Sequence, residues 1–253
     1  MKQITIISIF PEFLNHFKNY SLIKKWQDNN LLNLNIVNLR DFSTNKSKQV
    51  DDYPFGGSKG MILMIEPIVK AIKKYKSLKT KVILLTPSGK TLHQDFVFEL
   101  SKENDFIFIC GHYEGIDHRI YNYIDLEISI GDYIISSGEL AAMILLEAIM
   151  RVSKNAIKQN SYLNDSFSNQ AKILDFASYT KPRVFENHSV PKVLISGNHL
   201  KIKHWQLESS LKLTLKKRPD LLKNANLTNQ QKLILNNLIK NKDLKKDNGK
   251  IQK

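Results

Sequence analysis

The 253-residue sequence predicts an α/β fold built on a mostly parallel sheet. Two observations carry that expectation. Short apolar or alternating runs at residues 3–9, 32–39, 81–85, 105–109 and 126–130 have the length and pattern of strands, and stretches with helical apolar spacing separate most of them. Three consecutive runs then break into glycine-containing loops, at residues 86–89, 110–115 and 131–138. In a parallel sheet such loops share the rim at the carboxyl ends of the strands, where ligands collect.

Taken in order, residues 3–9 form a buried strand, and Pro11 starts a helical stretch that continues through Ile23 and Trp26. A second strand follows at 32–39. Residues 40–58 are polar and turn-rich and lead into Gly56, Gly57 and Gly60, a loop open to two readings, a lid or an ordinary connection. The spacing is not that of a P-loop. Glu66-Pro67 opens a helix through Tyr75, with proline in its favoured first turn. The strand at 81–85 breaks at Thr86-Pro87-Ser88-Gly89, and a helix runs from about His93 to Lys102. The strand at 105–109 breaks at Cys110-Gly111-His112-Tyr113-Glu114-Gly115, and that at 126–130 breaks at Gly131-Asp132 and again at Ser136-Ser137-Gly138. An apolar helix then runs to Arg151. Its amino terminus suits a ligand with oxygen acceptors, the plain alternative being a tight turn with nothing bound. No GxGxxG fingerprint is present, so a dinucleotide site is not supported.

Residues 154–178 are dense in Asn, Gln and Ser, like a mobile linker. Beyond them the chain reads as a small, basic helical domain: residues 202–217 have helical spacing, Pro219 restarts a helix, and Thr228 with Gln231 forms a capping box for the last one. The formal net charge is +14, and residues 201–253 carry 14 Lys and Arg against four acidic residues. Such an excess favours a polyanion such as nucleic acid, with a solvated helical end as the alternative. The single cysteine, Cys110, excludes an internal disulfide and any multi-cysteine metal site. The amino terminus reads as a strand and not a signal peptide, and the longest apolar run, interrupted by Glu147, is too short to span a bilayer. We therefore expect a cytoplasmic protein with no membrane partner.

Four segments together carry a resemblance: residues 110–119, residues 129–140, Asp165-Ser166-Phe167 and Ser196-Gly197-Asn198-His199. With Phe10-Pro11-Glu12, Val50-Asp51-Asp52, Gly56-Gly57 and Arg218-Pro219-Asp220, the sequence resembles bacterial tRNA (guanine-37-N1)-methyltransferases over nearly its whole length. The resemblance implies a SPOUT domain, a parallel α/β sheet threaded into a trefoil knot, working as a homodimer. It implies residues 1–160 as a knotted domain binding S-adenosylmethionine, 161–178 as a flexible linker carrying Asp165, and 179–253 as a basic helical domain for tRNA with guanosine at position 37. Donor contacts are implied at Thr86, Pro87, Gly111, Tyr113, Glu114, Gly115, Ile130, Gly131, Asp132, Tyr133, Ile134, Ile135 and Gly138. Magnesium dependence is implied as well, although no metal-ligand cluster is visible.

The chemistry follows from the substrate. Guanine N1 carries a proton at neutral pH, so its methylation needs a general base and a group to balance charge building towards O6. Asp165 matches the family's base, with a helix N-cap as its ordinary alternative. Arg151 matches the family's charge- or phosphate-balancing arginine, with a helix carboxyl-terminal cation as the alternative. His112, His118 and His199 read as hydrogen-bonding surface residues. Two departures stand out. Ser137 occupies a position that is usually glycine, which requires a negative φ. Residues 152–158 replace a Pro-Gly-Val-Leu-Gly segment, which is expected to loosen the approach to Asp165. Other readings are a related SPOUT enzyme acting on a ribose hydroxyl or ribosomal RNA base, and a non-catalytic RNA-binding protein.

Overall fold

A computed structural model describes residues 1–157 and 161–250, with side chains described to residue 240. The chain divides into two compact units, Met1–Gln159 and Asn160–Lys253. Lys158, in the segment that departs from the family pattern, and the expected domain boundary at residue 160 lie outside the described residues.

The first unit contains β1 (Lys2–Ser8), α1 (Pro11–Lys18), α2 (Ser21–Asp28), β2 (Leu32–Asn38), β3 (Asp51–Asp52), β4 (Ile62–Leu63), α3 (Ile65–Tyr75), β5 (Lys81–Thr91), α4 (Gln94–Leu100), β6 (Asp105–Cys110), β7 (Leu126–Ser129) and α5 (Gly138–Arg151). The main sheet has the order β2-β1-β6-β5-β7 and every pairing in it is parallel. Alternation along each strand builds two cores. Ile4, Ile6, Ile83, Leu85, Phe106 and Phe108 face one side, under Leu14, Trp26, Phe96 and the buried face of α5. Ile7, Val82, Leu84, Ile107 and Ile109 face the other, under Ile68, Ala71 and Ile72 of α3. With helices on both faces, the central strands β6 and β5 read as nearly continuous apolar runs up to Cys110 and Leu85.

Two elements differ from expectation. The stretch from Pro11 through Trp26 is two helices and not one. It breaks at Asn19 and Tyr20, and Ser21 takes φ +44. Apolar spacing persists across the break because both helices lie on the same core. β5 does not end at Leu85: Leu85 and Lys90 both pair with Ile128, so Thr86 to Gly89 form a bulge inside a strand that continues to Thr91. Gly89 is required there, since a Cβ would sit 2.4 Å from the backbone nitrogen of Ile128. Proline and glycine punctuate a bulge as they do a strand end, so the two are alike in sequence.

The second unit holds the hairpin of β8 (Val184–Phe185) and β9 (His188–Ser189), then α6 (His199–Lys217) and α7 (Asn229–Lys250). Its core is Leu211 of α6 and Ile234 of α7 with Ala171 and Ile173. The segment 161–178, expected as a flexible linker, thus contributes two buried side chains to this core. Thr214 Oγ1 accepts from the Leu174 N–H at 3.2 Å and Ser209 Oγ from the Ala177 N–H at 3.1 Å, which fastens the segment to α6. Asn198 caps α6 through the Lys201 N–H, and the Thr228 and Gln231 side chains cap each other's backbone N–H groups before α7. Lys201, Lys203, Lys212, Lys216 and Lys217 are exposed along α6.

Candidate active site

The loops at the carboxyl ends of β5, β6 and β7 enclose a cavity of about 460 Å³ in the first unit. Thr86 and Pro87 come from the bulge of β5, and Gly111 with Tyr113, Glu114 and Gly115 from the loop after β6. Ile130, Gly131 and Tyr133 to Ile135 come from the loop after β7, and Gly138 and Ala141 from the first turn of α5. The volume lies at the small-molecule end of ordinary ligand pockets, which span roughly 300–1,000 Å³.

Backbone contacts hold these loops together. The Gly138 N–H donates to Gly111 O at 2.8 Å, and Ser137 forms an isolated antiparallel bridge with His112. A Cβ on Gly138 would lie 2.6 Å from Gly111 N and 2.8 Å from Cys110 Cα, so only glycine allows α5 to start this close to the end of β6. Ser137, where the resemblance leads one to expect glycine, has φ −154, extended backbone that any residue adopts, so the serine is unstrained. Its side chain makes no cap bond to α5. Tyr113 is held at φ +56 with its N–H donating to His112 Nδ1 at 2.9 Å, and non-glycine residues in such conformations gather at ligand sites.

Residues 60–63 brace the same loop from outside. The Leu63 N–H donates to Gly115 O at 3.0 Å and the Glu114 N–H to Met61 O at 3.1 Å. Gly60 lies directly against the Glu114 side chain, where a Cβ would meet Cγ at 2.4 Å.

Of the expected donor contacts, Asp132 alone does not line the cavity. Gly131 at φ +140 and the Tyr133 N–H bond to Gly131 O make a tight turn whose apex is Asp132, and its side chain faces solvent. His112, expected as a surface residue, lines the cavity, as do Ile116, Tyr121, Ser136 and Ser137. Ile116 lies within the 110–119 motif but is not among the expected contacts, and Tyr121, which carries no motif in sequence, reaches the site by packing. Asp117, nearby, is held below the usual carboxyl range, chiefly by the Arg119 side chain, whose Nη2 donates to it at 2.6 Å.

Arg151 is the last residue of α5 and half-buried. Asp165, in the second unit, is followed by turns and not by a helix. It follows a 3₁₀ turn at Ser161–Asn164, and its carbonyl accepts the Ser168 and Asn169 N–H groups. Directly after Arg151, Val152 and Ala156 are buried, and Ala156 O accepts from Trp26 Nε1 at 2.6 Å. Among the described residues, no group of three or more His, Cys, Asp or Glu side chains converges as a metal site, so magnesium has no ready-made side-chain ligand set there. Among them, too, no helix is long and apolar enough to cross a membrane.

The sequence matches the family described as tRNA (Guanine-1)-methyltransferase TrmD over residues 1–224. It is 48% identical over 236 residues to a tRNA (guanine-N(1)-)-methyltransferase of Spiroplasma kunkelii, covering 93% of this chain and 88% of the relative. A Mycoplasma capricolum protein of the same name is 49% identical over 230 residues, covering 90% of this chain and 95% of its own length. One from Clostridium botulinum strain Eklund 17B is 45% identical over 235 residues, covering 92% and 98%. With the family matched over residues 1–224 and relatives 45–49% identical over at least 90% of the chain, the chain belongs to the tRNA (guanine-1)-methyltransferase family.

Proposed function

We propose that this protein methylates N1 of the guanosine at position 37 of tRNA, beside the anticodon, with S-adenosylmethionine as donor. In this reading it is a cytoplasmic homodimer whose first unit is a trefoil-knotted SPOUT domain. The observation that carries it is the cavity at the carboxyl end of the parallel sheet, walled by backbone from three loops in a chain of this family.

The residues present fit the donor. Ile130, Ile135 and Ala141 offer apolar surface for an adenine ring, and Leu85, Gly111 and Gly131 supply backbone close by. The cradle at Gly138 leaves no room for a side chain, as a site reading its ligand through main-chain groups requires. Thr86, Pro87, Gly111, Tyr113, Glu114, Gly115, Ile130, Gly131, Tyr133, Ile134, Ile135 and Gly138 hold it. Bound there, S-adenosylmethionine supplies a sulfonium methyl open to in-line displacement.

The chain's own residues do the remaining work. The Asp165 carboxylate takes the proton from guanine N1, which leaves a nitrogen lone pair for the new N–C bond. Arg151 balances the charge that spreads to O6 as that proton leaves, or steadies the neighbouring phosphate. The lysines exposed along α6 meet tRNA phosphates, a contact that positions the substrate and weakens with salt.

The test uses labelled S-adenosylmethionine and two transcripts of one tRNA differing only in guanosine or adenosine at position 37. Label on the guanosine transcript alone, lost in Asp165→Ala, is expected. Label on neither transcript, with the donor still bound, overturns the assignment of position and substrate.

A further inference from the structure

Glu139 is a carboxylate that the chemistry above does not use. It lies in the first turn of α5 and is 1% exposed. Ser8 Oγ, equally buried at the end of β1, donates to its Oε1. Its Oε2 has no hydrogen-bond partner among the described residues. A buried carboxylate with one oxygen unsatisfied is costly, and an apolar pair in its place would pack more cheaply.

The bonds around it lead to the cavity by two routes. Along the backbone, Gly138 precedes Glu139 directly and donates to Gly111 O at 2.8 Å. Through side chains, Ser8 Oγ also accepts the Phe10 N–H at 2.8 Å, which fixes the turn after β1. The Phe10 ring meets His112 edge-on at 5.0 Å between centroids, and His112 meets Tyr113 at 4.6 Å. Both routes end on the Gly111 to Gly115 loop. Ser8, Phe10 and Glu139 themselves lie outside the cavity lining.

We propose that Glu139 and Ser8 are a positioning pair that sets the pose of the Gly111 to Gly115 loop, and so the affinity for the methyl donor, from beneath the cavity floor. This rests on the reading that the cavity takes S-adenosylmethionine. The Ser8 hydroxyl is the joint: it holds the α5 carboxylate with its proton and the turn after β1 with its lone pair. Removing it releases Phe10 from His112 and strands the carboxylate.

The experiment is steady-state kinetics and calorimetry on Ser8→Ala, Ser8→Thr, Glu139→Gln and the double variant Ser8→Ala/Glu139→Gln. Ser8→Ala is expected to raise KM and Kd for S-adenosylmethionine about tenfold, with kcat and KM for tRNA within about twofold. Ser8→Thr keeps the hydroxyl and restores the donor constants to within about threefold. Glu139→Gln keeps an acceptor for Ser8 and loses less than Ser8→Ala. The double variant matches Ser8→Ala and not the product of the two single effects. Unchanged donor constants in Ser8→Ala overturn the proposal, and so does a parallel rise in KM for both substrates, which would mark ordinary destabilisation. Failure of the unaltered protein to bind S-adenosylmethionine would overturn the reading of the cavity instead.

Discussion

Gly138→Ala tests the cradle most directly. The added methyl would stand 2.6 Å from Gly111 N, 2.8 Å from Cys110 Cα and 3.0 Å from Cys110 C. All three atoms are backbone, so no side chain can swing away. Ordinary contact begins near 3.4 Å, and the start of α5 must therefore move off the end of β6 by roughly 0.8 Å. Overpacking of this kind costs about 1–3 kcal/mol. For a unit of this size, that is a fall of several degrees in melting temperature, at about 2–4 °C per kcal/mol. The same displacement stretches the 2.8 Å bond from Gly138 N to Gly111 O and shifts the loop that walls the cavity.

Losing one well-placed hydrogen bond to a ligand is worth about a factor of ten in affinity, since about 1.4 kcal/mol is tenfold. Calorimetric titration with S-adenosylmethionine, run beside thermal denaturation, should show Kd rising at least tenfold and a lower melting temperature. Gly57→Ala is the control. No atom lies within 4 Å of its Cβ, and its φ of +77 makes the substitution a matter of backbone strain alone. It should lower the melting temperature slightly and leave donor affinity unchanged. If Gly138→Ala melts lower yet binds the donor within twofold of the unaltered protein, the cradle does not belong to the donor site.

Three further outcomes follow from the structure. Cys110 is buried, and its thiol is pushed well up, first by that burial and then by the nearby Glu139 carboxylate; the native protein should resist a disulfide reagent at pH 8 and react fully once unfolded, and prompt native reaction would contradict the packing of β6. Asp117 titrates below the ordinary carboxyl value because of Arg119, so its contribution to stability is complete above about pH 4 and fades as pH falls through the lowered value. Arg119→Ala should move its NMR titration midpoint upward, and an unmoved midpoint refutes the cause. Trp26→Phe removes the donor to Ala156 O at 2.6 Å from a buried site and should cost about 1–3 kcal/mol in denaturant unfolding. A loss below about 0.5 kcal/mol would mean that the bond contributes little.

The sheet was legible because alternation and apolar run length report burial directly: Ile4 and Ile6 lie in one core and Ile7 in the other. The loops were legible through their glycines. What punctuation could not distinguish was a strand end from a bulge, since both need proline and glycine at Thr86 to Gly89. The order β2-β1-β6-β5-β7 was invisible for a different reason. The central strands β1, β6 and β5 are apolar on both faces, so no pattern orders them, and the polar residues Asn33, Asn35 and Glu127 mark β2 and β7 only as edges. At the site, residues with motif character were readable, whereas Tyr121 enters through packing and leaves no local signal. Glu139 is the sharpest case. An acidic residue at the start of an apolar helix reads as a solvent-facing dipole partner, and only the fold puts Ser8 beside it, 131 residues away in sequence.

The segment after Arg151 is held at one point by a tertiary contact, the bond from Trp26 Nε1 to Ala156 O. Residues 152–156 lack the proline and glycine that would stiffen the corner, and sequence alone predicts looseness there. Asn155 instead adopts φ +65, the left-handed conformation that asparagine tolerates better than other side chains. That turn brings Ala156 down into the core, where its carbonyl meets Trp26. Asn155→Gly should therefore leave stability nearly unchanged, because easier φ is offset by a more flexible unfolded chain. Asn155→Val, branched at Cβ, should lose about 1–2 kcal/mol. Denaturant midpoints for the pair decide the matter. If valine is as well tolerated as glycine, the left-handed turn at Asn155 does not hold this corner, and the Trp26 bond to Ala156 does not depend on it.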